Sequence, residues 1–535
     1  RQAPLWLPSL LASLLLLTRL DLACLIGPTL IWLMTRCKSW RAGGQIVIGM
    51  TPLIIWSSFS LIYYGSVLPN TALAKLQSGL PAHELSAQGL RYLAVSLHHD
   101  PATLLGIMLA LFVVGSRGGT GERLLMIGVV LHLAYTVSVG GDFMAGRFLT
   151  APFFLAVVCL ARLSDAIEHR LTRWSWLLIV AAGLFAPSSD TLIDRSGIAD
   201  ERRNYFASAG LFNGAPGWTR PSVDARLSGD IARATHASVL IEQSVGVVGF
   251  YAGPSVTVID RAALCDPLLA RLPMAQADPL SIDHIRRVAG VEPLHPWRIG
   301  HFFRNLPRGY LSSVLTQQNQ IADREIASLY RDVTLLTRAP LWSAERWAAI
   351  VRRVWAPTAS SGVLQPFEPP DWNEVLAVRP DDAEALFRRA ARSQDPGPDL
   401  QRAVALAPRH ALAWMDFGSW RQRSGDTEAA LAAWQHAAEV APGWAPPWIS
   451  IGVAQAKAGQ LAQALASLQR AQSADPRDAR SYAPLGLALM QSGQRNAARQ
   501  ILARGAAWGD RASRNLLTSL DRSDATSTGQ DKSDR

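Results

Sequence analysis

The chain has 535 residues, of which 49% are hydrophobic and only 18% charged, and its mean hydropathy is +0.12. That composition excludes an intrinsically disordered chain and an ordinary, highly charged cytosolic enzyme, and the length has room for about three or four domains. The net charge of +10 comes without any Lys/Arg cluster interleaved with aromatics, so nucleic acid is not an expected partner.

The charge is unevenly spread. Residues 1–186 carry 13 Lys/Arg and 7 Asp/Glu, whereas the remaining 349 carry 39 and 35. Apolar stretches fall at about 2–18, 22–35, 44–62, 101–116, 124–141, 148–161 and 174–189, which predicts a transmembrane part over 1–189. Several are shorter than the ~20 residues of a spanning helix, a deficit that polar-tipped ends and bundle neighbours can make up. The stretch 22–35 can also be half of a broken helix with 2–18. No basic segment or cleavage site precedes the first stretch, so it reads as a helix rather than a signal peptide. Short basic loops hold Arg36, Lys38 and Arg41, then Arg117 and Arg123, then Arg162, Arg170 and Arg173, and these should be cytoplasmic. Segments 63–100 and 140–147, and everything after about 190, then face the other side. The expectation is a multi-pass protein of a bacterial cytoplasmic (inner) membrane whose C-terminal region is periplasmic or extracytoplasmic.

Two outward segments carry chemistry-bearing residues. In the first, Tyr63 and Tyr64 leave the membrane, Gly65 and Pro69 turn the chain, and Asn70 and Lys75 follow. One reading is an aromatic belt and a helix start capped by Asn70 or Thr71. The other is a phosphate or sugar site, with Lys75 a cation one helical turn past Asn70. In the second, Gly140-Gly141-Asp142-Phe143-Met144-Ala145-Gly146-Arg147 joins two apolar runs. Asp142 and Arg147 either close the turn as an ion pair or serve a ligand that the glycines let approach. Arg19 and Asp21 raise the same question, and a structural pair is the better answer there.

Further on, residues 187–235 look like a substrate-facing loop segment with short helices. Ser238–Ile241 and Ser255–Asp260 read as short strands flanking a helix and turn over Gly246–Gly253, a small α/β unit without a dinucleotide fingerprint. Asp260 ends a strand, where side chains often face a site; Asp266 reads as the N-cap of the next helix. Arg298 and His301 are either a packed structural pair or cleft residues. Cys24 and Cys159 lie in apolar runs, Cys37 in a basic loop, and Cys265 is alone in the soluble part, so no disulfide framework is expected there. No His/Asp/Glu cluster or C-x-x-C has metal spacing, and neither metal nor cofactor is expected.

The pieces YYGSVLPNTALAKL, VGGDFMAGRFLTAPFF, VIDRAALCDPLLARLP and WRIGHFFRNLPRGY stand in this order across about residues 10–350. Together they resemble the membrane arabinofuranosyltransferases that add terminal β-(1→2) arabinose in actinobacterial cell walls, and the wider bacterial set related to them. The resemblance implies a GT-C glycosyltransferase fold, a polyprenyl-phosphate-linked sugar donor, a cell-envelope glycan acceptor and action on the outer side of the cytoplasmic membrane. Relatives carry an acidic motif in the first external loop, ahead of a Thr-Arg-Pro-Asp turn. That turn appears here as Thr18-Arg19-Leu20-Asp21, with leucine for the usual proline. The resemblance therefore implies an N-terminally truncated core in which the acidic loop and its catalytic carboxylates are missing. Asp142 is then a supporting residue that binds or orients the acceptor. Tyr63, Tyr64, Asn70, Lys75, Arg147, Asp260, Arg298 and His301 are candidate substrate-binding residues.

The C-terminal region repeats. Gly418, Gly452 and Gly486 are evenly spaced, as are Gly425, Gly459 and Gly493, and Ala430, Ala464 and Ala498. Pro408, Pro442 and Pro476 close successive units, and Trp414, Trp448 and Tyr482 share one position. The spacing of about 34 is that of tetratricopeptide repeats, which bind proteins or peptides. A shorter, degenerate unit starts near Pro380. The whole sequence thus predicts an α-helical polytopic membrane bundle, GT-C-like and incomplete, over 1–189. It further predicts a small external α/β domain over 190–360, a linker over 361–375, an all-α tetratricopeptide solenoid over 376–515 and a disordered tail over 516–535. The functional expectation is a glycosyltransferase in contact with membrane lipids and with a protein or peptide partner at the repeats. The alternative is a non-catalytic, membrane-tethered scaffold recruiting envelope-assembly partners.

Overall fold

The computed structural model describes all residues except 1–3, 37–38, 77, 164–168, 185–192, 202–222, 356–363, 477, 508–509 and 534–535. Most of the expected loop segment 187–235, the basic-loop residues Cys37 and Lys38, and the start of the expected linker therefore lie outside the described residues. The chain forms two compact units. Unit 1 comprises 1–219, 260–310 and 319–370; unit 2 comprises 220–259, 311–318 and 371–535. The stretch 190–360, expected as one domain, is thus divided between both.

Unit 1 begins with helices α1 (Trp6–Thr18), α2 (Ala23–Arg36), α3 (Trp40–Tyr64), α4 (Asn70–Leu76), α5 (Ala82–His99), α6 (Pro101–Arg117), α7 (Thr120–Ser138), α8 (Thr150–Arg162) and α9 (His169–Leu184). Ser39 caps α3 by accepting from the Ala42 N–H, and Gly65 ends it in the left-handed region at φ 71°. Within α3, Pro52 breaks the regular bonding; the neighbouring Leu53 N–H is taken up by Ser13 Oγ of α1 at 3.0 Å. Small residues let these two helices touch: Ser9, Ala12 and Ser13 are buried on α1 and Gly49 on α3. Leu25, Ile107, Val114, Met126, Val129 and Leu160 form a core shared by α2, α6, α7 and α8.

Among the described residues, α3 is the one helix long and apolar enough to cross a membrane. Helices α5 and α6 pass together but are bent by 106° at Asp100, a broken span or a re-entrant loop. The other apolar stretches form helices of 13 to 19 residues, too short or too charged to qualify alone. Even so, α1, α3, α6, α8 and α9 leave large apolar side chains uncovered, among them Leu11, Ile55, Phe112, Phe154 and Leu178. The sequence reading also missed α5. It is amphipathic rather than apolar, and it buries Gln88 and Tyr92.

The later parts of unit 1 brace the segment 63–76. Arg304, fully buried, donates to the carbonyls of Leu272, Phe302 and Phe303 and, at 3.0 Å, to that of Ala74 in α4. Arg346, also fully buried, donates to the carbonyls of Leu336, Leu341 and Tyr63, the last at 2.9 Å. Buried cations that spend their N–H groups on carbonyls fix the backbone they hold.

Unit 2 opens with the helix Val223–Ala234, strand β1 (Val239–Glu242), the helix Val245–Ala252 and strand β2 (Thr257–Asp260). The two strands pair, as the α/β pattern predicted. The helix pairs of the repeats follow: Ala383–Ala390 with Gly397–Leu406, Ala411–Arg423 with Thr427–Val440, Ala445–Lys457 with Leu461–Ala474, and Tyr482–Gln491 with Arg495–Ala507. Each evenly spaced glycine now has a physical cause. A Cβ on Gly418, Gly452 or Gly486 would sit 2.4–2.6 Å from Trp434, Leu468 or Leu502 on the paired helix. Gly425, Gly459 and Gly493 turn the chain between the paired helices at φ of 84°, 77° and 79°. Trp414 and Tyr482 donate to the carbonyls of Pro408 and Pro476, which fixes the junction between units.

The α/β piece is fastened to the first repeats. The Ser238 N–H donates to Asp382, Arg388 pairs with Glu242 and Glu384, and Trp444 Nε1 donates to Asp224 at 2.7 Å. Buried His410 bonds Glu384. Burial alone would raise the Glu384 pKa, but Arg388 and His410 hold it at about 2. The tail expected to be disordered instead continues as a helix, Arg511–Ser533. Leu520 is buried there and Arg499 pairs with Asp521, so packing anchors the first half of a segment that polarity alone marked as unstructured.

Candidate functional site

The residues singled out at the two outward segments meet in unit 1. A cavity of about 1220 Å³ is lined by Tyr63, Tyr64, Asn70, Lys75, Asp142 and Arg147. Arg19, Asp21, Cys265 and Arg271 also line it. Its apolar wall includes Leu16, Leu17, Leu53 and Trp56 from α1 and α3, and Val333, Leu336 and Leu341. Trp56, Phe59, Tyr63 and Tyr64 form a chain of ring contacts along the end of α3, with Phe59 and Tyr63 stacked at 5.3 Å. A pocket with one apolar wall and several convergent polar groups suits an amphipathic ligand.

Asp142 is buried, at 3% exposure, and its Oδ2 lies 3.2 Å from Arg147 Nη1 without a hydrogen bond to any described residue. Burial pushes its pKa above the usual carboxylate range, against the opposing pull of Arg147 and Lys75. Lys75 is half-buried, its Nζ standing 5.7 Å from the centre of the Phe143 ring. Burial lowers its pKa, and Asp142 partly restores it. Arg19 and Asp21 form a two-bond ion pair at 3.0 and 2.6 Å, as a structural pair should, yet both face the cavity.

Three expected site residues take other roles. Asp260 is buried and accepts from the N–H groups of Ala262, Leu264 and Cys265, so it caps the turn after β2 instead of facing a ligand. Arg298 and His301 are not among the lining residues; both pack on Phe143, the neighbour of Asp142 in the chain. Arg298 donates to the Gly197 carbonyl and stands 5.4 Å from the Phe143 ring, and His301 meets that ring edge-on at 4.2 Å. Burial, helped by Arg298 and Lys75, lowers the His301 pKa to about 4, so the imidazole is neutral at physiological pH. Gly300 sits between them at φ 73°, where a Cβ would come within 2.9 Å of Phe143. Asp266, expected to cap a helix, accepts from the Leu268 and Leu269 N–H groups at the entry to a single 3-10 turn, Leu269–Arg271.

Arg271 is the residue that sequence reasoning missed. It lies in the quoted stretch VIDRAALCDPLLARLP, but only the fold brings it to Asn70, 201 positions away. No group of His, Cys, Asp and Glu suited to a metal occurs among the described residues.

Comparison with known proteins gives two distinct likenesses. The tetratricopeptide repeat family model matches residues 455–520. A terminal beta-(1->2)-arabinofuranosyltransferase of Mycobacterium tuberculosis is 30% identical over 243 residues, covering 36% of this chain and 38% of the relative. Its namesake in Corynebacterium glutamicum is 31% identical over 197 residues, covering 31% of this chain and 28% of the relative. The chain therefore spans well under half the length of the curated relatives it matches. Among solved structures, MamA is 21% identical over 27% of this chain with a TM-score of 0.25. The APC/C hetero-tetramer Cut9-Hcn1 is 12% identical over 83% with a TM-score of 0.26. Such scores are too low for a shared architecture to be read from them.

Proposed function

We propose that unit 1 forms the donor-binding part of a membrane glycosyltransferase. This enzyme moves a sugar, arabinofuranose-like by resemblance, from a polyprenyl-phosphate donor to a cell-envelope glycan on the outer side of the cytoplasmic membrane. The observation that carries the reading is the cavity in which a cationic end meets an apolar wall. A lipid-linked sugar phosphate has the same polarity pattern: an isoprenoid tail, a phosphate and a polar ring. Lys75 and Arg147 supply positive charge for the leaving phosphate, which gains charge as the glycosidic bond breaks. Asp142, buried beside them, orients an acceptor hydroxyl. Tyr63 and Tyr64 line the path by which the tail meets the lipid interface. The two arabinofuranosyltransferase likenesses support the reaction class. The uncovered apolar faces of α1, α3, α6, α8 and α9 support a multi-pass setting in lipid.

The test is transfer from a radiolabelled polyprenyl-phosphoarabinose donor to an arabinan acceptor by the full-length protein in membranes. Lys75→Ala and Asp142→Asn should each lower transfer at least about a hundredfold while membrane insertion is kept. Normal rates in both variants would remove these residues from the site. Absence of transfer with every pentose and hexose donor tried would sink the enzymatic reading.

A second reading, favoured by the repeat match at 455–520, is a membrane-tethered scaffold that recruits envelope-assembly proteins through its tetratricopeptide groove. It predicts that deleting the repeats abolishes the cellular phenotype, whereas Lys75→Ala leaves it intact.

A further inference from the structure

Arg271 is buried, with 8% of its surface exposed, yet it lines the cavity. One of its nitrogens, Nη1, donates to the Pro267 carbonyl at 2.6 Å and to Asn70 Oδ1 at 3.3 Å. Both partners are neutral. Among the described residues Arg271 forms no ion pair. The nearby carboxylate that could neutralise it, Asp266, is already committed: Oδ1 accepts two backbone N–H groups, and Oδ2 accepts the Tyr310 hydroxyl at 2.6 Å. The next guanidinium, Arg353, is held by Asp332 and adds positive charge rather than removing it. A buried guanidinium without an anion is costly, so an anion from outside the chain is the natural complement. Arg271 also keeps Nε and Nη2 unspent, which is the fork a phosphoryl group accepts from.

Asn70 explains how this fork is aimed. It begins α4, the helix that ends with Lys75 and Leu76, and its amide oxygen takes the Arg271 N–H. Arg304 fixes the same helix through the Ala74 carbonyl. One short helix therefore presents Lys75 and steers Arg271 into the same cavity.

We propose that Arg271 is the phosphate-gripping residue of this cavity and that Asn70 is its positioning residue. The proposal rests on the lipid-phosphate reading above and names the group that reads the phosphate. Arg271 discriminates a phosphorylated lipid from the corresponding alcohol, because only the former has oxygens that can accept from both free N–H groups.

The experiment uses the full chain in detergent micelles, with quenching of tryptophan fluorescence as readout, since Trp56 lines the cavity. The probes are geranylgeranyl phosphate, geranylgeraniol and inorganic phosphate. The unchanged protein should bind the lipid phosphate at least about tenfold more tightly than the alcohol, with inorganic phosphate a weak competitor. Arg271→Gln should remove most of that preference, leaving only what Lys75 and Arg147 supply, and keep binding of the alcohol within about twofold. Arg271→Lys should keep part of the preference, and Asn70→Ala should weaken it with a smaller effect. An undiminished preference in Arg271→Gln would overturn the proposal. Loss of alcohol binding in both Arg271 variants would also overturn it, because Arg271 would then only hold the fold. If the unchanged protein bound the phosphate and the alcohol equally, the lipid-phosphate reading itself would fall.

Discussion

Asp142 owes its character to burial, which raises its pKa, and to Arg147 and Lys75, which oppose the rise. If the ionised carboxylate is the working form, activity falls as pH drops through the raised value. The acid limb of the pH–rate profile should thus lie above the ~3.9 of an ordinary aspartate. Arg147→Gln removes the largest opposing influence, so the limb should move to higher pH while the alkaline side stays put. A limb that stays in place in that variant would mean that another group controls it. Little of this was legible in the sequence. Asp142 and Arg147 stand five positions apart and could be paired on paper. The cavity they face also needs Arg271 and Asn70, which are joined only by the fold. Asp260 misled because a strand-end carboxylate looks alike whether it faces a ligand or caps the turn that follows.

At the level of elements, the repeats were the most readable part, since each period records a contact the helices cannot avoid. Gly452 and Gly459 illustrate two different constraints seven residues apart. Gly452→Ala would push a methyl to 2.6 Å from Leu468 Cγ and should destabilise by about 1–3 kcal/mol through overpacking. Gly459→Ala meets no neighbour but must hold φ at 77°, which costs about 1–2 kcal/mol in backbone strain. Hydrogen exchange of the full chain should show faster opening of Ala445–Lys457 and Leu461–Ala474 in both variants. In a Leu468→Ala background, itself destabilised by the lost core side chain, Gly452→Ala should add no further loss, whereas Gly459→Ala should cost as much as before. Helix α5 was illegible for the opposite reason. Its burial of Gln88 and Tyr92 follows from partners distant in sequence: Gln88 donates to the Ser196 carbonyl, and Tyr92 accepts from the Phe148 N–H.

For the whole molecule, the sequence announced a linker ahead of a separable repeat domain, and the structure gives that domain an earlier part. Residues 220–259 belong with 371–535. A chain cut to 371–535 would keep its four helix pairs but lose Asp224, Ser238 and Glu242 as partners of Trp444, Asp382 and Arg388. At about 1 kcal/mol for each such bond, it should be roughly 3 kcal/mol less stable than a fusion that restores 220–259. Thermal unfolding followed by circular dichroism would measure the difference, and equal midpoints would mean that the α/β piece is only a passenger.

The same interleaving sets a timetable for synthesis. Ser238 leaves the ribosome 144 residues before Asp382, and Glu242 leaves 146 before Arg388. At roughly 5–20 residues per second, β1 and its helices wait on the order of ten to thirty seconds for the surface they pack against. During that interval Ile231 lacks Ala411, Ala441 and Trp444, the buried residues it clusters with in the finished fold. The α/β piece therefore waits with an apolar side chain unpartnered: the first helix pair brings Asp382 and Arg388, and only the next two bring the neighbours of Ile231.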